Sequence, residues 1–564
     1  MRLKKQIPVL TALTRLAQSR AKEIVHACRI HGGPHPATMA ALAAACFVAF
    51  SPGAAGAAVQ ASSIAGDEVG APISWGACDP PPPPGVDLQC ARIAVPLDWK
   101  NRGGRTISLA VIRLRVKPEE RIGTLFINPG GPGDTGIGLV RGDPAGIAAI
   151  GGGRFDVVSW DPRGSNASTR VLCFSDQREE ARFWAGASFP TTRAASERML
   201  RLTADLAKRC GEVSGWLLPH ISTADTARDL DHLRALLGEE KLTYVGLSYG
   251  TYLGQTYANM FPDRVRAMLL DGLIDAVEYS KSAEAREAMF SGAADAVFNQ
   301  FLSLCGSAGP ERCALAGGSQ TPAERVESLF AQVKGTPIPA PGVRPPLLSP
   351  STLSYSDLLL SQFEPMRAPS RWEGNAADLD AALRGDASAL ASGASGFLSP
   401  AGWAPAITSA AIQCADAPAD RSPQEWPQVI GHLQQVGRLQ GLIHRWWEWA
   451  PCASWPVRGE DNYRGPWNRS IPNPILLINQ TYDPNTGYDN AVHAAHYLGN
   501  AVLLTQEGYG HLWFQDPSKC VEDKMVDYLV NLITPPPGTV CQSDHKPFDP
   551  KLKSGTENVE QNLP

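Results

Sequence analysis

Apolar runs of strand length alternate with stretches of helical periodicity through residues 90–275. This alternation predicts a mainly parallel β-sheet with helices on both faces, which is an α/β fold. Two further runs at 91–96 and 106–116 are rich in valine and isoleucine and flank a glycine turn, so they predict a β-hairpin ahead of the parallel strands. The runs predicted as parallel strands lie at 123–127, 155–160, 242–245 and 265–271.

The alternation stops after residue 275 and resumes near residue 471. Residues 276–470 are alanine-rich, helix-like in parts, and hold eight of the 14 tryptophans. One strand–helix–strand step needs only about 30 residues, so we expect a large inserted helical cap over the sheet. Its tryptophans would either line a site beneath the cap or pack its own interior. Residues 471–541 contain strand-like runs at 474–478 and 501–505 and complete the predicted core.

The two ends of the chain differ from the rest. Residues 1–58 combine a basic region, a short apolar run and a series of small residues, which predicts a signal peptide for export to the periplasm or beyond the cell. The apolar run is shorter than the about 20 residues of a membrane span, so we expect no stable span, with an anchor or lipidation at Cys46 as alternatives. Residues 59–89 are a proline-rich lead. Residues 542–564 are polar and aperiodic, and we expect them to be disordered.

Composition excludes some classes of partner and cofactor. A net charge of -5 with no basic stripe argues against nucleic acid. His493 and His496 have helical i, i+3 spacing but no cysteines or acids at metal-site spacing, so they are read as one helix face. We expect neither a metal nor an organic cofactor.

Cysteine usage supports export. Ten of the 12 cysteines follow residue 58, and an even number in an exported chain predicts disulfides rather than free buried thiols. Sequence alone leaves the connectivity open. The pairs suggested by local spacing are Cys78 with Cys90, Cys173 with Cys210, Cys305 with Cys313, Cys414 with Cys452 and Cys520 with Cys541.

The segment GLSYG at 246–250 follows an apolar strand-like run and precedes a helix-like stretch. In that context a GxSxG serine is lifted out of the sheet on a sharp turn and can act as a nucleophile, although the same pattern also occurs as a plain packing turn. Ser248 is therefore the candidate nucleophile.

A nucleophilic serine needs a base and an acid, which in α/β-hydrolases follow in the order serine, acid, histidine. Asp483 lies just after the strand-like run 474–478, at a strand end where open α/β sheets carry their functional loops. His511 lies in a glycine-rich loop after the run 501–505. Asp483 is the candidate acid and His511 the candidate base.

Backbone donors for an oxyanion would come from Tyr249, directly after the serine, and from the loop NPGGPG at 128–133. Prolines in this loop lack N–H groups and the glycines permit close approach of a substrate. Gly131 is the preferred second donor and Gly130 the alternative.

Several motifs together resemble the secreted α/β-hydrolase exopeptidases of the proline iminopeptidase and tripeptidyl aminopeptidase type, whose members include a tripeptidyl aminopeptidase-like C-terminal module. The resemblance covers about residues 90–541 and implies an α/β-hydrolase fold with a helical cap. The chain departs from it at Asp134 and Thr135, where GGPGGSG is common, and at Gly487, where proline is frequent. The motifs are NPGGPG, WDPRG at 160–164, DLDHLRALLG at 229–238, GLSYGTYLG at 246–254, YANMFPDRVRAMLLDG at 257–272, DPNTGYDNA at 483–491 and GYGH at 508–511.

An exopeptidase must also hold the free amino end of its substrate, and a buried carboxylate would do so through charge-assisted hydrogen bonds. Asp134, Asp416 and Glu448 are the preferred candidates. The other cap acids considered are Glu284, Glu287 and Glu373.

Taken together, the residues and the resemblance predict an exported serine hydrolase, an aminopeptidase that cleaves short peptides from free N-termini through an acyl-enzyme. A carboxylesterase or amidase acting on a small molecule is the alternative, because the same three residues cleave esters. A binding protein without catalysis is a third reading, and the complete Ser248, Asp483 and His511 set argues against it.

Overall fold

A computed structural model describes residues 69–550 apart from a few positions and short gaps. The predicted signal peptide, the first part of the proline-rich lead, Glu448 and the chain beyond residue 550 therefore lie outside the described residues. The gaps are 186, 188, 291, 344–350, 398–399, 418, 420–421, 427, 429–436, 440–445 and 447–449.

A ten-stranded sheet forms the centre of the fold, in the order β1-β2-β3-β5-β4-β6-β7-β10-β11-β12. A separate two-stranded pair, β8 with β9, lies in the insertion. The strands are β1 Gly76–Ala77, β2 Leu88–Pro96, β3 Thr106–Leu114, β4 Gly123–Asn128, β5 Phe155–Trp160, β6 Leu242–Leu247, β7 Val265–Asp271, β8 Ile338–Pro339, β9 Thr352–Leu353, β10 Ile475–Tyr482, β11 Ala501–Tyr509 and β12 Val540–Gln542.

The sheet is mainly parallel, as predicted. β1, β2 and β3 pair antiparallel, and β3 joins β5 antiparallel, whereas every pairing from β5 through β4, β6, β7, β10 and β11 to β12 is parallel. All residues of β4, β5 and β6 are buried because helices cover both faces. The described structure confirms the α/β fold class and the predicted hairpin.

Helices fill the segments between strands. Short 3-10 turns occur at Leu218–His220, Pro262–Arg264, Ala314–Ala316, Pro369–Arg371, Ala450–Ser454 and Trp513–Gln515. The described α-helices are α1 Gly136–Gly142, α2 Pro144–Ile150, α3 Gln177–Trp184, α4 Arg193–Ser214, α5 Thr223–Leu236, α6 Tyr249–Met260, α7 Ala276–Lys281, α8 Ala283–Phe290, α9 Ala293–Ala308, α10 Pro322–Gly335, α11 Tyr355–Ser361, α12 Phe363–Met366, α13 Trp372–Leu383, α14 Ser388–Phe397, α15 Pro400–Asp416, α16 Tyr488–Tyr497 and α17 Lys519–Asn531. None of the helices in the described part of the chain is both long and apolar enough to cross a membrane.

The insertion between β7 and β10, here called the cap (residues 276–470), contributes helices α7 to α15. It shares one continuous apolar cluster with one face of the sheet, and a second cluster fills the opposite face. Trp372 of the cap is fully buried and packs edge-on against Phe301 and Tyr509, with ring centroids 5.6 and 5.3 Å away. This tryptophan therefore serves the interior of the protein rather than an open site.

Two of the recognised motifs meet in a buried ion pair. Arg163 of WDPRG and Asp229 of DLDHLRALLG are both fully buried, and the guanidinium donates to both carboxylate oxygens at 2.7 and 2.6 Å. Trp99 adds a third bond to the same carboxylate. The remaining Arg163 donors bond to the Leu97, His220 and Pro96 carbonyls, so the buried charge has the full set of partners that it needs and joins the two motifs inside the fold.

Five disulfides join the pairs suggested by local spacing: Cys78–Cys90, Cys173–Cys210, Cys305–Cys313, Cys414–Cys452 and Cys520–Cys541. Their Cα–Cα distances run from 4.0 to 5.6 Å. The last bond ties α17 to the edge strand β12. The predicted disulfide bonding is confirmed.

The tail expected to be disordered from Gln542 is ordered up to residue 550. Gln542 ends β12, paired with β11, and Phe548 is buried with its ring stacked 6.2 Å from Phe301. The prediction of disorder was wrong for this part because one aromatic side chain in a polar stretch found a place in the cap interior. Residues 551–564 lie outside the described chain.

Candidate active site

Ser248 stands at a sharp turn between β6 and α6. Its backbone has φ 54° and ψ -123°, a region that non-glycine residues rarely occupy and that is kept where function needs it. The turn is tightly packed, since a Cβ placed on Gly246 would lie 2.3 Å from the Gly250 carbonyl oxygen. The Ser248 N–H donates to the Asp271 carbonyl at 2.9 Å. Ser248 is half-buried, whereas its neighbours Leu247 and Tyr249 are buried.

The loop after β4 approaches this turn from the adjacent strand. A Cβ on Gly130 would lie 3.0 Å from the Tyr249 nitrogen. The Gly130 N–H donates to the Asn128 side chain at 3.1 Å, while the exposed Gly131 has no acceptor for its N–H among the described residues. Tyr249 is the first residue of α6, where N–H groups have no intrahelical acceptor. The Gly131 and Tyr249 amides therefore have no acceptor among the described residues.

Asp483 and His511 form a buried, hydrogen-bonded pair. They lie in the loops after β10 and β11, and are 2% and 1% exposed. The His511 Nδ1 is 2.9 and 3.0 Å from the two carboxylate oxygens of Asp483. This contact through Nδ1 leaves Nε2 as the ring nitrogen for a reacting group.

Thr486 completes the surroundings of Asp483 and was not predicted. Its hydroxyl donates to Asp483 Oδ2 at 2.8 Å, and its N–H and that of Asn485 donate to Oδ1 at 2.9 and 2.8 Å. The same hydroxyl lies 3.5 Å from His511 Nδ1. An aspartate followed two and three residues later by donors is an Asx-type turn, so the sequence DPNTG carried a signal for it.

The two halves of the site meet at Asp271 and Gly272, at the end of β7. Asp271 accepts the Ser248 N–H through its carbonyl and the Trp513 N–H through Oδ2, both at 2.9 Å. A Cβ on Gly272 would lie 3.1 Å from His511 Cε1, and its φ of 70° favours glycine. This junction places the histidine loop beside the serine turn, and sequence analysis missed it.

The Asp271 carboxyl is fully buried, and its Oδ1 has no hydrogen-bond partner among the described residues. Its pKa is raised to about 8, chiefly by burial and also by the nearby Asp483 charge, against the opposing effect of the Trp513 and Gly272 N–H groups. At neutral pH this side chain is a neutral acid.

The three preferred substrate-binding acids differ in their surroundings. Asp134 is exposed and lies beside Gly131, on which a Cβ would be 3.0 Å from the Asp134 Cγ. Asp416 is buried, and both its oxygens accept from Thr223, at 2.7 Å from the N–H and 2.6 Å from the hydroxyl. Burial raises the Asp416 pKa to about 7. Glu448 lies outside the described residues.

The other acids weighed from sequence have different positions. Glu287 is buried, Glu284 is half-buried, and Glu373 pairs with Arg312 at 2.8 Å. His493 contacts Asp275 at 3.2 Å. Within the described ranges no group of three or more His, Cys, Asp or Glu side chains could hold a metal ion.

Cap elements contact the site directly. The Arg367 carbonyl, which follows α12, accepts the His511 N–H at 2.8 Å. A Cβ on Gly133 would lie 2.6 Å from Thr408 Cγ2 on α15. The cap therefore packs against both the histidine loop and the loop after β4.

Comparison with known proteins agrees with this architecture. Residues 123–306 match the family described as alpha/beta hydrolase fold, and residues 441–541 match the family described as TAP-like protein.

Three curated relatives span most of the chain. Serine protease Hip1 of Mycobacterium tuberculosis is 32% identical over 507 residues, 85% of this chain and 92% of that protein. Tripeptidyl aminopeptidase of Streptomyces lividans is 29% identical over 78% of this chain and 81% of its own. Carboxylesterase B of M. tuberculosis is 31% identical over 85% of this chain and 92% of its own. The chain is a serine hydrolase that belongs to the α/β-hydrolase family, with a TAP-like C-terminal region.

Proposed function

We propose that the protein is an exported serine aminopeptidase that releases short fragments from the free N-terminus of peptides. Ser248 is the nucleophile, His511 the general base and Asp483 the acid that orients it. The observation that carries this proposal is the meeting, at Asp271 and Gly272, of a strained serine turn with a buried histidine–aspartate pair.

The reaction follows from the geometry. His511 takes the Ser248 proton as the hydroxyl oxygen attacks the scissile carbonyl, and Asp483 holds the imidazole tautomer and stabilises its positive charge. The Gly131 and Tyr249 amides stabilise the oxyanion, each contributing about 3 kcal/mol to the transition state. His511 then protonates the leaving amine, and water releases the acyl group by the same steps.

A peptide substrate is supported by the peptidase relatives. For the free amino end, Asp134 is the acid best placed among those described, because it is exposed and adjoins the oxyanion loop. Asp416 is less suited, since Thr223 engages both its oxygens. Export is supported by the five disulfides, which persist in oxidising compartments.

The experiment is a hydrolysis screen of the mature protein with p-nitroanilides of free and N-blocked amino acids and tripeptides. Ser248→Ala should abolish cleavage of free anilides, and blocked anilides should be poor substrates. Ser328→Ala is the matched control, because this serine is exposed on the cap and, among the described residues, its hydroxyl bonds to the Glu324 carbonyl of its own helix. Cleavage that persists in Ser248→Ala would exclude Ser248 as the nucleophile.

A carboxylesterase is the second candidate, favoured by the relative named Carboxylesterase B. An esterase site needs no residue that binds a free amino group of the substrate. Turnover of p-nitrophenyl esters with no cleavage of any anilide would replace the aminopeptidase proposal with this one.

A further inference from the structure

Three hydrogen-bonded side chains connect the cap to the residue after the candidate nucleophile. Asp416 is the last residue of α15, and its Oδ2 accepts from the Thr223 hydroxyl at 2.6 Å. The same Thr223 hydroxyl bonds to the phenolic oxygen of Tyr249. All three residues are at most 3% exposed, so solvent does not compete for these bonds.

The donor and the acceptor in each of these hydrogen bonds follow from the number of protons available. With Asp416 in its ionised form, Thr223 gives its one hydroxyl proton to the carboxylate and accepts the proton of Tyr249. Asp416 Oδ1 accepts the Thr223 N–H at 2.7 Å. Thr223 is the first residue of α5, so the carboxylate also lies at a helix N-terminus, where negative charge is favourable.

Both ends of this series of hydrogen bonds are held by further contacts. Asp416 lies two residues from Cys414, which is bonded to Cys452, and the Asn462 amide donates to the Ala415 and Asp416 carbonyls at 2.7 and 2.8 Å. At the other end, the Tyr249 ring packs against Tyr279 of α7 with centroids 6.2 Å apart. The hydroxyl of Tyr249 is thereby tied, through Thr223, to a disulfide-bonded segment of the cap.

Tyr249 has two functions in this arrangement, one in its backbone and one in its side chain. Its N–H is the amide that the proposed mechanism assigns to the oxyanion, and it belongs to the first residue of α6. A small displacement of such a donor weakens transition-state stabilisation, because the bond is made to the position of the developing charge. Fixing the hydroxyl restricts movement of the residue that carries this amide.

We propose that Asp416, acting through Thr223, is a positioning residue that fixes Tyr249 and so couples docking of the cap to the geometry of the oxyanion site. The proposal rests on the proposed function, since it needs Ser248 and the Tyr249 amide to act on substrate. It assigns to Asp416 a role different from binding the substrate amine.

Steady-state kinetics on the mature protein test this with variants of the three residues. Tyr249→Phe, Thr223→Val and Asp416→Asn should each lower kcat about tenfold with little change in KM, because they weaken an interaction used in the transition state. Thr223→Ser keeps the hydroxyl and should retain nearly all of the activity. Combining Tyr249→Phe with Thr223→Val should cost little more than either alone, since both break one chain.

Tyr257→Phe is the matched control. Tyr257 is also buried on α6 and its hydroxyl donates to Asp231 at 3.0 Å, two turns away from the serine. This variant should lower thermal stability at most, with kcat unchanged. Equal kcat losses in Tyr249→Phe and Tyr257→Phe would overturn the proposal and leave a purely structural role.

The proposal and the function on which it rests fail in different ways. If Ser248→Ala leaves hydrolysis intact, the proposed function is wrong. If Ser248→Ala is inactive while folded Tyr249→Phe and Thr223→Val keep wild-type kcat, only the positioning role is wrong. A rise in KM without a fall in kcat for Asp416→Asn alone would also overturn it, in favour of substrate binding by Asp416.

Discussion

Two neighbouring strands of the sheet each deliver a buried aspartate to the site, and the two carboxyls have opposite surroundings. Asp483 follows β10 and receives hydrogen bonds from two backbone N–H groups, the Thr486 hydroxyl and His511. Asp271 ends β7, and its carboxyl accepts one hydrogen bond among the described residues, from the backbone N–H of Trp513. Both are at most 2% exposed. The two carboxyls are therefore about equally buried, and they differ in the number of hydrogen-bond donors that face them.

This comparison indicates that the number of hydrogen-bond donors, rather than the extent of burial, decides whether a buried carboxyl is suited to carry a charge. Asp483 has the partners that an ionised acid needs to stabilise an imidazolium. Asp271 lacks them, and burial keeps it protonated up to about pH 8. The surroundings of Asp483 suit a charged acid, whereas those of Asp271 suit a neutral one.

The largest expected effect on kcat comes from a substitution at Asp483. Asp483→Asn should lower kcat about 10⁴-fold, because the amide favours the wrong tautomer of His511 and cannot stabilise its cation. Asp489→Asn, an exposed change in the first turn of α16, is the control. A loss below tenfold in Asp483→Asn would mean that Asp483 is not the acid. Anilide hydrolysis under saturating substrate measures both.

Removing one donor from Asp483 should have an intermediate effect. Thr486→Val keeps the shape but leaves Oδ2 with one bond fewer, so kcat should fall about tenfold. Thr486→Ser should restore most of the rate, since it retains the hydroxyl. If the serine variant is as slow as the valine variant, the methyl group and not the hydrogen bond matters.

At Asp271 the expected effect depends on pH. Above about pH 8 the wild-type side chain ionises and adds a second buried negative charge near Asp483, at the junction that holds the histidine loop beside the serine turn. This repulsion should disturb the junction, so kcat/KM should fall several-fold between pH 7.5 and about 9.5. Asp271→Asn is neutral throughout and should lack this decline while matching the wild type near pH 7. Identical pH profiles for the two proteins would show that Asp271 does not titrate there.

The last prediction concerns stability rather than rate. The folded protein holds the Asp271 proton up to about pH 8, whereas a free aspartate has a pKa of 3.8. Between these values the folded state binds more protons than the unfolded chain, so the free energy of unfolding falls as pH rises through that window. Asp271→Asn should therefore gain stability relative to the wild type from about pH 5 to pH 8, measured by urea denaturation. A stability difference between Asp271→Asn and the wild type that stayed constant over this pH range would contradict the raised pKa of Asp271.

Much of this site could be predicted from the sequence, for a local reason. Ser248, Asp483 and His511 each follow a recognisable strand-like run, and parallel strands bring their carboxyl ends to one edge. The cysteine pairing was equally accessible, because each bond joins neighbours along the chain at most 38 residues apart. The sequence places Asp271 only at the end of an apolar strand, since nothing in MLLDG at 268–272 distinguishes a supporting acid from a surface one.

Contacts of the cap could not be predicted in the same way. The bonds from Asp416 to Thr223 join residues 193 positions apart, and both lie in segments whose periodicity predicts only helix. Periodicity identifies which face of a helix is apolar but not which partner a polar residue at its end will find. Asp416 was accordingly expected to bind substrate, and the structure gives both its oxygens a protein partner.

The most direct measurement is covalent labelling with a fluorophosphonate, followed by peptide mass mapping. If Ser248 is activated by the Asp483 and His511 pair, the mature protein should take one label per chain, on Ser248, with complete loss of hydrolysis, and Asp483→Asn should react far more slowly. Labelling of a different serine, or an unlabelled protein that still hydrolyses its substrate, would contradict the account.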